Sequence, residues 1–78
     1  MSNRSDNISM YGTEFCHLCD AASAILDAAD VIARKIDVAE NEILMTKYGN
    51  RIPVLTRADN GAELGWPFDL AAVRRFVA

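Results

Sequence analysis

Apolar and polar positions change period several times along the chain, and each change marks an element. Ile8 to Tyr11 is a short apolar run that predicts a buried first strand, and Gly12-Thr13-Glu14-Phe15 follows as a loop. From Cys16 onward, Leu18, Ala22, Ile25, Leu26 and Ala29 recur at helical spacing and predict a helix with one inward stripe. Asp20 in its first turn suits the positive end of the helix. The segment Val31 to Val38 holds a second strand, read as Ala33 to Asp37. Ala39 to Tyr48 predicts a second helix, with Glu40 and Glu42 early, Lys47 late, and Ile43, Leu44 and Tyr48 inward. Gly49 and Asn50 end it. Ile52-Pro53-Val54-Leu55-Thr56 reads as a third strand opening at a proline. Asp59-Asn60-Gly61 is a turn, so Ala62 to Leu64 is expected to return antiparallel to the third strand. After the loop Trp66-Pro67-Phe68, Asp69 caps a last helix from Leu70 to Val77, with Leu70, Val73 and Val77 facing in.

The order is β-α-β-α-β-β-α, an α/β arrangement. The first two strands are joined through a helix and are expected to be parallel with a right-handed crossover, and the last two form a hairpin. With 78 residues and no repeat, linker or low-complexity stretch, one domain is expected over residues 8–78, preceded by a polar, disordered tail at 1–7.

Composition narrows the function classes. A chain that is 51% hydrophobic and 24% charged can fold around a core. A net charge of −3 leaves no basic footprint for nucleic acid. No apolar run approaches the roughly 20 residues of a membrane span. The start lacks the apolar segment of a secretory signal, so a cytoplasmic location is expected, where thiols are kept reduced.

The only two cysteines stand three apart, in Cys16-His17-Leu18-Cys19, where the strand pattern gives way to the helix pattern. Unpaired N–H groups and the helix dipole favour an anion at that place, so a thiolate is stabilised. A disulfide this short in sequence restricts the unfolded chain little, which makes a structural staple a poor explanation. A C-x-x-C opening a helix within a β-α-β pattern reads as a redox dithiol, with Cys16 attacking and Cys19 resolving. A structural zinc site needs four ligands, and His17 is the only further Cys or His in the chain. A cluster bridged between two chains through cysteine is a different reading, since two thiolates per chain make four. His17 has two readings: an imidazolium that favours the thiolate, or a solvated residue kept neutral by the helix dipole. Glu14 pulls the thiol the other way and is expected to be exposed and screened.

The order of elements, Cys16-His17-Leu18-Cys19, Ile52-Pro53-Val54 and Gly65-Trp66-Pro67-Phe68-Asp69 together resemble the glutaredoxin-like family of the thioredoxin fold, small bacterial proteins with a Cys-His-Leu-Cys motif. The resemblance implies a four-stranded mixed sheet in the order 2-1-3-4 with helices on both faces. It also implies a cis bond between Ile52 and Pro53 lying against the cysteines, which leaves the Ile52 backbone free to pair with an extended substrate. The implied activity is thiol-disulfide oxidoreduction on protein or low-molecular-weight disulfides, with electrons from glutathione or a reductase and no cofactor required. The alternative is a dimeric iron–sulfur module. Glutaredoxins carry a basic residue shortly before the first cysteine and a Gly-Gly loop before the last helix. Here those places hold Gly12-Thr13-Glu14-Phe15 and Gly65-Trp66-Pro67-Phe68-Asp69. Glutathione contacts would then fall to Asp69 for the amine and to Lys47 or Arg51 for a carboxylate, while helix capping is the other role for Asp69. Trp66 and Phe68 either form an apolar lip for a peptide substrate or cover the core. Arg74 and Arg75 are read as a solvated face.

Overall fold

In the computed structural model, which describes residues 7–78, the elements are β1 (Ile8–Gly12), α1 (His17–Ala28), β2 (Arg34–Asp37), a 3-10 turn (Val38–Glu40), α2 (Glu42–Tyr48), β3 (Val54–Arg57), β4 (Glu63–Gly65) and α3 (Leu70–Val77). The strands form one mixed sheet in the order β2-β1-β3-β4. β1 and β2 are parallel, and the other two pairs are antiparallel. This is the expected α/β thioredoxin-like arrangement.

Strand alternation divides the interior in two. Met10 and its partner Leu55 face one side, where they pack with Cys19, Ala22 and Leu26 of α1, Val73 of α3 and Phe68. Tyr11 and its partner Val54 face the other side and meet Val38 and Tyr48. Thus α1 and α3 cover one face, and the 3-10 turn with α2 covers the opposite one.

Register brings the chemistry to one end of the sheet. Tyr11, Val54 and Gly65 lie in one row across β1, β3 and β4. The next residues along are Gly12, Pro53 and Trp66, and the Trp66 N–H donates to the Pro53 carbonyl at 3.1 Å. The loop to Cys16 leaves from the same end.

The structure corrects several boundaries. The inward stripe of α1 is Cys19, Ala22 and Leu26, and Leu18 is 48% exposed. A β-carbon built on Gly12 would lie 2.8 Å from the Cys19 sulfur. The sulfur therefore fills the space that a missing side chain leaves, and this sets the rotation of the helix. The expected helix Ala39 to Tyr48 is two pieces. Asp37 caps the 3-10 turn through the Ala39 N–H, and Asn41 accepts from the N–H groups of Ile43 and Leu44 to start α2 afresh. The restart rotates Ile43 outward, to 76% exposure, and leaves Leu44 and Tyr48 inward. β3 begins at Val54 and not Ile52, because Pro53 has no N–H for the ladder. β2 and β4 each start one residue later than expected. In the turn before β4, Gly61 takes φ 72°, the left-handed region open to glycine, and the Asn60 side chain accepts from Ala62 N–H. Residue 7 is not tail: the Asn7 carbonyl accepts from Ala58 and its side chain from Asp59. The expectation for residues 1–6 lies outside the described residues. α3 has the expected bounds, with Val73 fully buried and Phe76 packed inward beside it.

A candidate dithiol site at the sheet end

Cys16 is the N-cap of α1. Its backbone is extended, and its sulfur accepts the Cys19 N–H at 3.1 Å. That bond satisfies one of the orphan donors of the first turn. It also aims the positive end of the helix at the sulfur, the environment that lowers a thiol pKa. Cys16 and Cys19 are disulfide-bonded, with Cα atoms 5.2 Å apart. The two sulfurs differ in access. Cys16 is half-buried at the surface, whereas Cys19 is 7% exposed and belongs to the core. An approaching molecule therefore meets Cys16 first, with Cys19 behind it.

Ile52, Trp66 and Cys16 all pack against the core cluster that contains Cys19, and Pro53 is fully buried. The Ile52–Pro53 bond is cis, and so is Trp66–Pro67. The Trp66 ring meets Phe68 edge-on, centroids 5.0 Å apart. Phe68 is buried and covers the core, and Trp66 leans on the same cluster. His17 and Glu14 are exposed.

Lys47 and Arg51 are gathered elsewhere, around Tyr48. Each cation lies 5.2 Å from the Tyr48 ring centroid, and the ring stacks on Tyr11 at 4.3 Å. Arg51 also pairs with Glu63 at 3.4 Å, and the Tyr48 hydroxyl donates to the same carboxylate at 3.1 Å. Burial, first of several causes, raises the Tyr48 phenol above its ordinary value. Glu63 stands opposite Thr56, two residues down the ladder from the Gly65 row.

Asp69 caps α3 by accepting the Ala72 N–H at 2.8 Å. We expect Asp69→Ala to lower stability by about 1 kcal/mol, and Asp69→Asn to cost much less, since asparagine caps as well. Urea denaturation reads the difference. Lost turnover at unchanged stability would instead make Asp69 a substrate contact.

Two residues that flank Cys16 carry no site signal in the sequence pattern. Phe15 is 98% exposed and has φ 57°, and Leu18 is half exposed. Phe15 rims a cleft of about 450 Å³ between the Gly12–Phe15 loop, the first turns of α1 and the end of β2, with Cys19 in its wall. Among the described residues, no three His, Cys, Asp or Glu side chains gather as a metal site, and no helix is long and apolar enough to cross a membrane.

A disulfide-bonded C-x-x-C capping the first helix of a mixed 2-1-3-4 sheet defines a thioredoxin-fold protein with a dithiol site. Within that class, the chain belongs to the family described as glutaredoxin-like domain (DUF836), which matches residues 7–78. Solved structures agree. The X-ray structure of structural-genomics target XcR50 from X. campestris is 33% identical, with TM-score 0.80, covering 90% of this chain and 93% of that one. The solution structure of XcR50 is also 33% identical, with TM-score 0.82 and 91% coverage of both chains. A mutant thioredoxin from Halobacterium salinarum NRC-1 is 27% identical, with TM-score 0.68, over 94% of this chain and 74% of that one. The comparison with curated proteins returns no match. Fold, family and the bonded cysteine pair together support a redox role for Cys16 and Cys19.

Proposed function

We propose that the protein is a thiol-disulfide oxidoreductase that reduces disulfides in proteins or small molecules. The observation that carries this is the surface sulfur of Cys16 held on the Cys19 N–H at the helix start, with the second sulfur bonded behind it. In the reduced protein, the Cys16 thiolate attacks one sulfur of a substrate disulfide. A mixed disulfide forms, the substrate S–S bond breaks, and the other substrate sulfur leaves as a thiolate. The Cys19 thiolate then attacks the Cys16 sulfur and expels the second substrate thiolate. Two electrons have passed to the substrate, whose sulfurs take two protons from the thiols and water, and the protein is left as the Cys16–Cys19 disulfide. A thiol reductant, glutathione or a dithiol reductase, returns the two electrons, and no cofactor is required. The Ile52 backbone, just ahead of the first paired residue of β3, offers an extended substrate a strand to pair with. A reducing direction of turnover suits a cytoplasmic setting.

The test mixes reduced protein with insulin or a small aromatic disulfide. Each chain is expected to release two substrate thiols while both of its own disappear. Substrates left intact with both protein thiols still titratable would overturn the reading. So would an iron-containing, coloured dimer with no turnover, the outcome that the cluster-binding alternative requires.

A further inference from the structure

The cleft beside α1 meets the disulfide from one side only. Gly12 and Cys19 stand in its wall, and Cys16 does not. The Cys19 sulfur is the nearest atom to the space that Gly12 leaves open, 2.8 Å from where a β-carbon would stand. Cys19 therefore belongs to the core without being sealed in it: it is 7% exposed and borders a cleft of about 450 Å³. A space of that size holds a small molecule and not the surface of a second protein.

The two sulfurs also differ as leaving groups. A thiolate that attacks a disulfide bonds to one sulfur and expels the other, and exchange is faster when the expelled thiolate is the more stable one. Attack on Cys16 must expel Cys19 among Met10, Leu26, Leu55 and Phe68, where burial penalises a charge. Attack on Cys19 expels Cys16, whose sulfur already accepts the Cys19 N–H at 3.1 Å at the positive end of the helix. Access thus favours Cys16 as the sulfur that attacks a substrate, while leaving-group stability favours Cys19 as the sulfur that is attacked when the protein is reduced. The cleft reconciles the two for a reductant small enough to enter. Glu14, Asp20, Asp37 and Glu40 line it with Lys35 as the one cation, so a thiol that carries carboxylates is disfavoured there.

We propose that the oxidised protein is reduced through this cleft by a small thiol whose chain bears no carboxylate, an aminothiol fitting best, which attacks the Cys19 sulfur. The first thiolate, R–S⁻, bonds to Cys19, the Cys16–Cys19 bond breaks, and Cys16 leaves as its thiolate. A second R–S⁻ attacks the R sulfur of that mixed disulfide, R–S–S–R departs, and the Cys19 sulfur takes a proton from water. Two electrons pass from the two thiols to the protein. The proposal rests on the oxidoreductase reading and names its reductant class.

The test mixes the oxidised full chain with cysteamine, stops the reaction at short times with excess N-ethylmaleimide, and locates both labels by fragment-ion mass spectrometry. The expected product carries cysteamine on Cys19 and maleimide on Cys16, and the reverse placement overturns the proposal. Opening rates are then compared for cysteamine, mercaptoethanol and mercaptopropionate, each divided by its rate on hydroxyethyl disulfide to cancel intrinsic reactivity. The rates are expected to fall in that order, by roughly tenfold from first to last, with the spread narrowing as salt rises. An absent or reversed spread overturns the cleft as the route. Ser23 stands one turn beyond Cys19 in the same wall, so Ser23→Leu narrows the approach to the sulfur while keeping a good helix former. It is expected to slow opening by cysteamine roughly tenfold relative to the rate at which the reduced variant reduces hydroxyethyl disulfide, as steric closure of a route would. An equal change in both rates overturns the proposal even where the adduct is too short-lived to trap. A reduced wild type that leaves hydroxyethyl disulfide intact overturns the oxidoreductase reading instead, a result on which the position of the cysteamine label does not depend.

Discussion

Cys16→Ser loses disulfide reduction by roughly a hundredfold or more, because a hydroxyl at the helix start stays protonated where a thiolate would form. Cys19→Ser behaves differently. Cys16 is still capped by the residue 19 N–H and still attacks, but nothing behind it resolves the product, so the chain accumulates as a mixed disulfide with its substrate. The asymmetry follows from access, with one sulfur at the surface and the other 7% exposed in the core. Intact-protein mass spectrometry after mixing with a peptide disulfide separates the two variants. The expected result is a stable adduct for Cys19→Ser and none for Cys16→Ser. Adducts on Cys16→Ser alone would mean that Cys19 is the attacking group, and equal adducts on both would mean that access does not separate the two sulfurs; either result overturns the reading of the helix start. Both variants also lose the Cys16–Cys19 link, so their stability is to be compared with that of the reduced wild type.

How much of this is legible in the sequence depends on what each residue faces. α3 is readable to its ends because a local signal fixes both, Asp69 as cap and an apolar spacing that meets one partner surface. Element order carries the parallel first pair and the closing hairpin, and the strand order 2-1-3-4 comes from the resemblance. Leu18 is misplaced by the pattern because periodicity near a helix end leaves neighbouring rotations close in score, and cysteine is as good an inward residue as leucine. The decision between them is made by Gly12, on another element. The break at Asn41 has a local signal, an N-cap residue followed by Glu42, but it lies inside a run that reads as continuous helix. Arg51 looks like a free cation because its partner Glu63 arrives from β4, through the hairpin and not through local sequence, while Lys47 lies over the ring of its neighbour Tyr48. Phe15 reads as part of a loop and nothing more. Its exposure and its positive φ are tertiary facts, and an aromatic beside a cysteine is ordinarily read as core.

Gly12→Ala tests whether that same sheet end is built around the resolving sulfur. The residue closes β1, is buried, and pairs with Asp37 of β2, so its backbone has no freedom to back away. An added β-carbon would stand 2.8 Å from the Cys19 sulfur and 3.6 Å from the Cys19 β-carbon. The neighbour that must give is a short side chain inside the core, not the far end of a flexible one. Overpacking of this kind costs about 1–3 kcal/mol. The two redox states do not share that cost equally. In the reduced protein the Cys19 side chain can turn to another rotamer, whereas in the oxidised protein its sulfur is tied to Cys16 and must stay where the methyl group arrives. Gly12→Ala is therefore expected to lower the urea midpoint of both forms, and that of the oxidised form further. Since the oxidised state loses more, the dithiol couple shifts toward a more oxidising potential, by about 30 mV for each 1.4 kcal/mol of difference. Equilibration against glutathione buffers measures the shift independently of the unfolding curves, and the two must agree in sign. Equal destabilisation of both forms with no change in potential would show that the methyl group is accommodated by the strand, and that Gly12 does not position Cys19.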